Sequence, residues 1–488
     1  MSEIQNDLLK RKADIVAGDK AGIEKQKSAG KLTARERIAM ILDEGSFVEL
    51  GALVKTCGVS GESVVAGYGT IAERPVYVYA QNFAVKAGAM SAAQAKKIVR
   101  VTELAKKTGA PVIAILDSAG AKIDEGIGAI DGYAEVIAAH AKLSGIVPQV
   151  AVVAGPCVGA AAIAASMCDF VVMTEKVSAL MMQGPQVISA KTGKDYTAQT
   201  LGGVAPAAKA GAAALCAESE DEAASLVKSL VSFLPSNNLE EAPAYDGEDI
   251  NRDISSDGYD VANLVYQLAD YGDTLELYAD YGKAIYTAFA KVGGYSVGII
   301  ANNPAENGGV ITPEAASKAA KVIGICDSFN IPVVSLVNTE GFIIDNADVN
   351  FASIQAGAKL AYAYAEATVA KISVITGKAV GGGYAVMSSK ALGADITYAW
   401  PKAAISPLNS DAAVRILYGE EIKAGKSFAQ LTEEYENGPA SPFAAAETGA
   451  VDDVITPEST RAHIINAVDM LCSKREIVTP RKHGNQPL

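Results

Sequence analysis

Histidine is almost absent: His140, His463 and His483 are the three in 488 residues. The six cysteines, at 57, 157, 168, 216, 326 and 472, form no CxxC pair that would make up for that scarcity. A zinc-type centre is therefore not expected, nor is a mechanism built on an imidazole base. Basic runs are missing as well, and the formal net charge is -14. This excludes nucleic acid or an anionic membrane surface as the main partner, so any anionic ligand must be held by local groups. There is also no long, purely apolar run. One of the most apolar stretches, Val147 to Ala165, contains Gly, Pro, Gln and Cys and suits buried strands and helices better than a membrane span. The opening MSEIQNDLLKRK has no apolar core and gives no export signal, so a cytoplasmic protein with reduced thiols is expected.

With 50% apolar residues the chain has material for two large cores. The first sixty residues carry a helical pattern, with Leu8, Leu9, Ile15 and Ile23 among Lys and Asp, and predict a helical arm. From residue 64 short β-rich runs alternate with alanine-rich helices: RPVYVYAQ, then SAAQAKKIVRVTELAKKTG, then APVIAILDSAG. That order predicts βαβ units with buried, largely parallel strands, an α/β fold.

The same order returns as GGYSVGIIANNP, TPEAASKAAKVIGICDSFN and IPVVSLVNTEG. Pro111 and Gly120 stand 221 positions before Pro332 and Gly341, Gly155 stands 222 before Gly377, and Asp169 stands 226 before Asp395. A period this long means a duplicated domain in which each copy buries its own core. The expected division is 1–250 and 251–488, inside a polar stretch at 232–258 that suits a surface linker. The arm finds its expected partner in VANLVYQLADYGDTLELYADYGKAIYTAF.

In each copy a strand runs into a turn of small residues and then a helix start: PQVAVVAGPCVGAAAIAAS and KISVITGKAVGGGYAVMSSK. Free N–H groups at such a start, with no bulky side chain above them, suit a developing oxyanion. Neither turn has the spacing of a phosphate loop or of a dinucleotide fingerprint. A second pair of loops, DSAGAKIDEG (117–126) and NTEGFIID (338–345), also follows strands, at the edge where α/β sheets bind ligands. There Lys122 is expected either to meet a phosphate or to be solvated. His140, within AEVIAAHAKLSG, is expected to be a packed helix residue. This shortage of acids and bases suits a site that supplies oxyanion donors while substrate and cofactor move the protons.

GYGTI (67–71), RPVYVYAQNF (74–83), SGIVPQ (144–149), LPSNNLE (234–240), CDSFNIPVV (326–334), AKLAYAYAEATV (358–369), LGADITYAWP (392–401) and the final HGNQPL resemble the carboxyltransferase subunits of biotin-dependent acyl-CoA carboxylases and of sodium-pumping acyl-CoA decarboxylases. The resemblance spans nearly the whole chain. It implies two tandem crotonase-like domains, acyl-CoA on the first and biotin on the second across a dimer interface, in a hexamer built as a trimer of dimers. Gly159, Ala160 and Ala161 would then face the thioester, and Gly381, Gly382 and Gly383 the ureido oxygen of biotin. Ala119, Gly120, Ala121, Lys122 and Gly155 fall on the CoA side, and Gly341, Phe342, Tyr384 and Ala385 on the biotin side. In the family's chemistry CO2 leaves the carboxylated biotin, the biotin nitrogen takes the α-proton of the thioester, and the enolate attacks.

The chain departs from the family pattern at several points: DSGGAR becomes DSAGAK, D-x-P-G-F becomes NTEGF, and an acidic residue becomes Ala385. Lys122 keeps the charge of the arginine it replaces but loses its fork. No A-M-K-M biotinyl context, ATP-grasp segment or four-cysteine ribbon is present. The biotin must therefore ride on a separate carrier protein, with either a biotin carboxylase subunit or a membrane sodium-pump subunit as further partner; the latter would hold the chain peripherally at a membrane. The NTEGF departure and the short length tip the reading slightly toward the α subunit of a malonyl- or methylmalonyl-CoA decarboxylase, with a propionyl- or acetyl-CoA carboxylase β subunit as the alternative. Lower alternatives are a crotonase-like hydratase, for which Asp169 or Glu175 would have to act as base, and a scaffold subunit without activity.

Overall fold

The computed structural model describes residues 3–54, 63–255, 260–476 and 479–487, and Cys57 lies outside them. The chain forms two compact units, Met1–Glu240 and Glu241–Leu488. Unit 1 opens with helices Glu3–Ala17, Lys20–Ser28 and Ala34–Ile41. The third begins on a capping box, in which Thr33 accepts from the Glu36 N–H and the Glu36 carboxylate accepts from the Thr33 N–H.

Eight strands follow in unit 1: β1 (Val48–Glu49), β2 (Val64–Ile71), β3 (Arg74–Gln81), β4 (Val112–Ser118), β5 (Gln149–Val158), β6 (Phe170–Thr174), β7 (Ala179–Met181) and β8 (Leu215–Ala217). They form one sheet in the order β1-β2-β3-β4-β5-β6-β8, with β7 also pairing β5. The first three run antiparallel and the remainder parallel. Every residue of β4 (VIAILDS) is buried, as a strand covered on both faces requires. Helices Ala92–Thr108 and Ile127–Leu143 cover one face through Ile98, Val101, Tyr133 and Val136. The first of these is capped by Ser91 and stops at Gly109, left-handed at φ +66°.

Unit 2 repeats the plan with β9 (Thr274–Glu276), β10 (Ile285–Val292), β11 (Tyr295–Asn302), β12 (Val333–Thr339), β13 (Lys371–Val380), β14 (Ile396–Ala399), β15 (Ala404–Ser406) and β16 (Asp453–Val454), ordered β16-β14-β13-β12-β11-β10-β9. The strand ends keep the 221-residue offset through β4 and β12 and shift to 222 at β5 and β13. The later drift to 226 lies at an extra turn, Lys390–Leu392, closed by Gly393 at φ +111° ahead of β14.

Two expectations need adjusting. The arm is repeated only in part: among the described residues of unit 2, the helix ahead of β9 is Val261–Leu268. The stretch at 241–255 is polar, yet it is fastened to unit 2. Buried Arg461 donates to Leu268 O (2.6 Å), Glu248 O (3.2 Å) and Asp270 (2.6 Å), and the Tyr245 N–H donates to Gly294 O. Its anchors are mostly backbone carbonyls, which no side-chain pattern displays.

Candidate active site

In unit 1 β5 ends at Val158 and helix Ala160–Ser166 begins two residues later. Gly159 joins them at φ +67°, ψ -124°, a conformation that L side chains avoid. Its N–H is already bonded to Met181 O at 2.8 Å. The Ala160 and Ala161 N–H groups lie in the first helical turn and have no intrahelical carbonyl to meet. Ala161, Ala164 and Ala165 are buried against the sheet, which is why this helix is built of alanine.

Unit 2 repeats the junction with helix Gly381–Val386 after β13 and Gly381 at φ +54°. Its three glycines have different duties. A Cβ on Gly383 would stand 2.9 Å from both Gly341 Cα and Thr339 Cγ2, so this glycine is needed for packing. A Cβ on exposed Gly382 would meet nothing closer than the Phe342 ring at 3.8 Å.

The loops after β4 and β12 lie beside these turns, because Ser118 pairs in register with Cys157 and Thr339 with Ala379. Both loops fold alike. The Gly120 N–H donates to Ser118 Oγ and the Gly341 N–H to Thr339 Oγ1, each at 3.1 Å, and the two glycines sit at φ +116° and +115°. Single bridges, Met90 with Ala121 and Ile311 with Phe342, tie them to the segments that follow β3 and β11.

Those segments are part of the site that sequence reasoning missed. Lys86, Ala87 and Gly88 are all left-handed (φ +48°, +54°, +65°), as are Asn307, Gly308 and Gly309 (φ +51°, +69°, +75°). The Ala119 N–H donates to Ala87 O at 3.0 Å, so this segment supports the 117–126 loop. Lys86 and Ala87 are not glycines, though Gly88 follows them, and holding them left-handed costs about 1–3 kcal/mol each. The visible signal was in the other copy, where Asn-Gly-Gly stands 221 residues on.

Unit 1 therefore brings Ala119, Gly120 and Ala121 near Gly159–Ala161, with Ala119 exposed and Gly120 buried. Lys122 is buried and not solvated: its Nζ lies 2.6 Å from Glu125 Oε1. That ammonium, with the Ala92 N–H on the other oxygen, holds the Glu125 carboxyl below its usual range. Gly155 lies inside β5, four residues before the turn, where any side chain would run into the Asp117 carboxylate. In unit 2 Gly341 is buried, Phe342 and Tyr384 are half-buried and Ala385 is exposed, all around Gly381–Gly383. Burial raises the Tyr384 phenol.

Neither His140 nor Asp169 faces the first turn. His140 is fully buried between Tyr79 Oη (2.9 Å) and Gln149 Oε1 (2.7 Å), and burial lowers its pKa, so it is a neutral core residue. Asp169 accepts from the Gln149 N–H at the amino end of β5. The ten residues of β5 span about 33 Å, which separates Asp169 from the turn at the far end. Burial pushes the Cys157 thiol up to about 12, so it is no nucleophile either.

Charge is instead stored beneath the loop. Asp117, wholly buried, meets Lys31 (2.7 Å) and Arg37 (2.8 Å), and Arg37 also holds Glu220 (2.5 Å) and Ala154 O (2.7 Å). A cleft of about 720 Å³ beside this cluster carries Glu175, Glu218, Glu220 and Asp221 against Lys31 and Lys176, a poor lining for phosphate. Among the described residues no group of three or more His, Cys, Asp or Glu stands ready for a metal ion, and no helix is long and apolar enough to cross a membrane.

Residues 25–486 match the carboxyl transferase domain family, and the chain belongs to that family. It is 40% identical to a propionyl-CoA carboxylase beta chain from Saccharopolyspora erythraea over 99% of this chain and 95% of the relative. It is 41% identical to the methylmalonyl-CoA decarboxylase subunit alpha of Propionigenium modestum, over 99% of this chain and 98% of that one. A crystal structure of hexameric transcarboxylase 12S with methylmalonyl-CoA and methylmalonic acid bound superposes with a TM-score of 0.95 at 40% identity, covering 100% of this chain and 99% of the other. The two units are tandem crotonase-like domains, and the chain is an enzyme of carboxyl transfer.

Proposed function

We propose that this chain moves a carboxyl group between a malonyl- or methylmalonyl-type CoA thioester and biotin held on a separate carrier protein. Unit 1 takes the thioester at Gly159, Ala160 and Ala161, and unit 2 the biotin at Gly381, Gly382 and Gly383. The observation that carries this reading is the repeated turn: a left-handed glycine opening a helix of small residues, beside a Ser118–Gly120 or Thr339–Gly341 turn, in both units. Two donors fixed in advance suit two oxygens whose charge grows during reaction.

The biotin side fits a flat ring with one polar oxygen. Gly382 leaves space above the turn, and the Phe342 ring and half-buried Tyr384 supply apolar walls. When bound, biotin supplies the nitrogen that carries the carboxyl group and exchanges the α-proton, so that the protein's part is to supply N–H donors at the two turns. On the thioester side, Gly120 and Ala121 would shape the wall, and Lys122 would have to leave Glu125 to reach a phosphate.

The same site serves both directions, and relatives named for each stand at 40% and 41% identity. Direction is therefore set by the partner: a biotin carboxylase subunit drives synthesis, and a membrane sodium-pump subunit drives decarboxylation. The chain acts in the cytoplasm, in the second case held at the membrane through that subunit. A hexamer like that of transcarboxylase 12S accounts for the apolar side chains left bare at matching places, Ile123 and Ile130 in unit 1 and Ile344 and Phe351 in unit 2.

Purified chain given free biotin and methylmalonyl-CoA or malonyl-CoA is expected to release CO2. No release with any malonyl-type CoA, also with the carrier added, overturns the reading. Gly382→Val, which fills the open side of the turn, is expected to abolish release and leave the fold intact. Gly383→Val is the poorer test, because it forces the Gly341 backbone to move.

A further inference from the structure

Lys378 lies on β13 two residues before its end, and Glu340 lies in the loop after β12 next to Gly341. Their side chains meet, Nζ to Oε1 at 2.5 Å, with 52% and 34% of each exposed. The Lys378 N–H donates to Asn338 Oδ1 at 3.0 Å, which fixes the base of the lysine against the same loop. The pair thus joins the two segments that build the half-site of unit 2.

In unit 1 the matching positions are Ala119 and Pro156, which cannot form an ion pair. In the Lys122–Glu125 pair of unit 1 the lysine is buried, and the partners lie three residues apart within one loop. A half-exposed pair contributes little to stability and is screened by salt, so a structural prop does not account for Lys378 and Glu340. What they provide is an ammonium, on the strand three residues before Gly381, that already holds a carboxylate.

The reaction proposed above brings a carboxylate to that place, as the group in transfer. We infer that Lys378 is the cation of a subsite for this carboxylate and that Glu340 occupies the subsite until the substrate arrives. The inference rests on reading Gly381–Gly383 as the biotin side. No covalent bond changes: one carboxylate replaces another on the same ammonium, and Glu340 turns to the solvent that already reaches it. Glu340 therefore tunes how tightly the substrate carboxylate is held. Lys378 and Glu340 are positioning residues, and the chemistry stays with the turn.

E340Q keeps the shape of the side chain and removes the competing charge. In the full-length oligomer it is expected to lower KM about three- to fivefold with kcat within about twofold. K378M is expected to raise the same KM, K378R to restore most of it, and E340Q to have no further effect in the K378M background. The carboxylate can arrive on either substrate, so two arms are measured: methylmalonyl-CoA with saturating free biotin, and the carboxylated carrier with saturating propionyl-CoA. A fall in KM in either arm supports the subsite and names the substrate that uses it. Unchanged KM in both arms overturns it, as does a fall that persists in K378M, or a rise in KM that accompanies a lowered melting temperature. If the unmodified enzyme turns over neither substrate, the biotin reading falls and takes this inference with it; turnover with unchanged KM removes this inference alone.

Discussion

Gly159→Ala tests the proposed thioester turn most directly. Steric exclusion is not the difficulty, since a Cβ there would have Met182 O at 3.6 Å as its one near neighbour. The backbone is: φ +67° with ψ -124° costs an alanine about 1–3 kcal/mol. The chain can hold its conformation and lose that much stability, about 2–4 °C in melting temperature per kcal/mol for a unit of this size. Or it can turn a peptide to relieve the strain. The Gly159 N–H is held by Met181 O at 2.8 Å, so relief falls on the next peptide, which carries the Ala160 N–H; its Gly159 carbonyl accepts from the Ala162 and Ile163 N–H groups at 3.0 and 3.2 Å, and turning it gives up those bonds as well. Losing one such donor costs about 10²–10³ in kcat. CO2 release from methylmalonyl-CoA with free biotin is therefore expected to slow at least about 100-fold, with KM much less affected. A folded Gly159→Ala protein with kcat within about threefold of the original would refute the assignment of this turn to the reacting oxygen.

Asp117→Asn is expected to destabilise unit 1 by about 3–5 kcal/mol, read by denaturant unfolding, because Lys31 loses its anionic partner and Arg37 is left with Glu220. His140 is held neutral by burial, with its folded pKa below the 6.5 of the unfolded chain. Protonation thus favours unfolding, and stability is expected to fall as pH drops below about 6.5. His140→Gln should flatten that slope in melting curves taken between pH 7 and pH 5. Gly324→Ala lies in helix Pro313–Ser328 with nothing within 4 Å of the new methyl. It is expected to raise unfolding free energy by about 0.5–1 kcal/mol and leave turnover unchanged.

The duplicated plan was legible because it is written in local terms. Strand runs such as VIAILDS, cap residues such as Ser91, and the small residues of both turns each act over a few positions, and their recurrence at 221 shows in the sequence. What stayed hidden depends on distance. Arg37 and Asp117 are 80 positions apart, and Arg461 and Asp270 are 191 apart. Nothing in DSAGAK shows that its aspartate faces inward onto an arginine of the arm. Lys122 reads equally as a phosphate contact or a solvated residue for a similar reason: Glu125 is near in sequence, but its position depends on the Ala92 N–H that fixes the carboxylate. The left-handed Lys86 and Ala87 are held by their surroundings against their own preference, a choice single-residue propensities oppose.

The two half-sites also separate shape from charge. Gly120 and Gly341 hold almost the same φ, and each is closed by a hydroxyl two residues earlier. Beneath one loop lies Asp117 with two cations; beneath the other lies Asn338, whose Oδ1 accepts from the Lys378 N–H. Gly155 and Gly377 keep room for that side chain in each copy, since a Cβ on either would strike it. The backbone cradle therefore does not depend on the buried ion cluster, and a neutral residue builds it equally well in unit 2. What the cluster adds is attachment of the arm, through Lys31 and Arg37, to the loop beside the turn at Gly159. Unit 2 places its exposed charges on the loop and the neighbouring strand, at Glu340 and Lys378, the pair inferred above to exchange with an incoming carboxylate. Duplication has kept the backbone geometry of the turn and let the charges diverge, giving one unit a buried brace and the other an exposed pair.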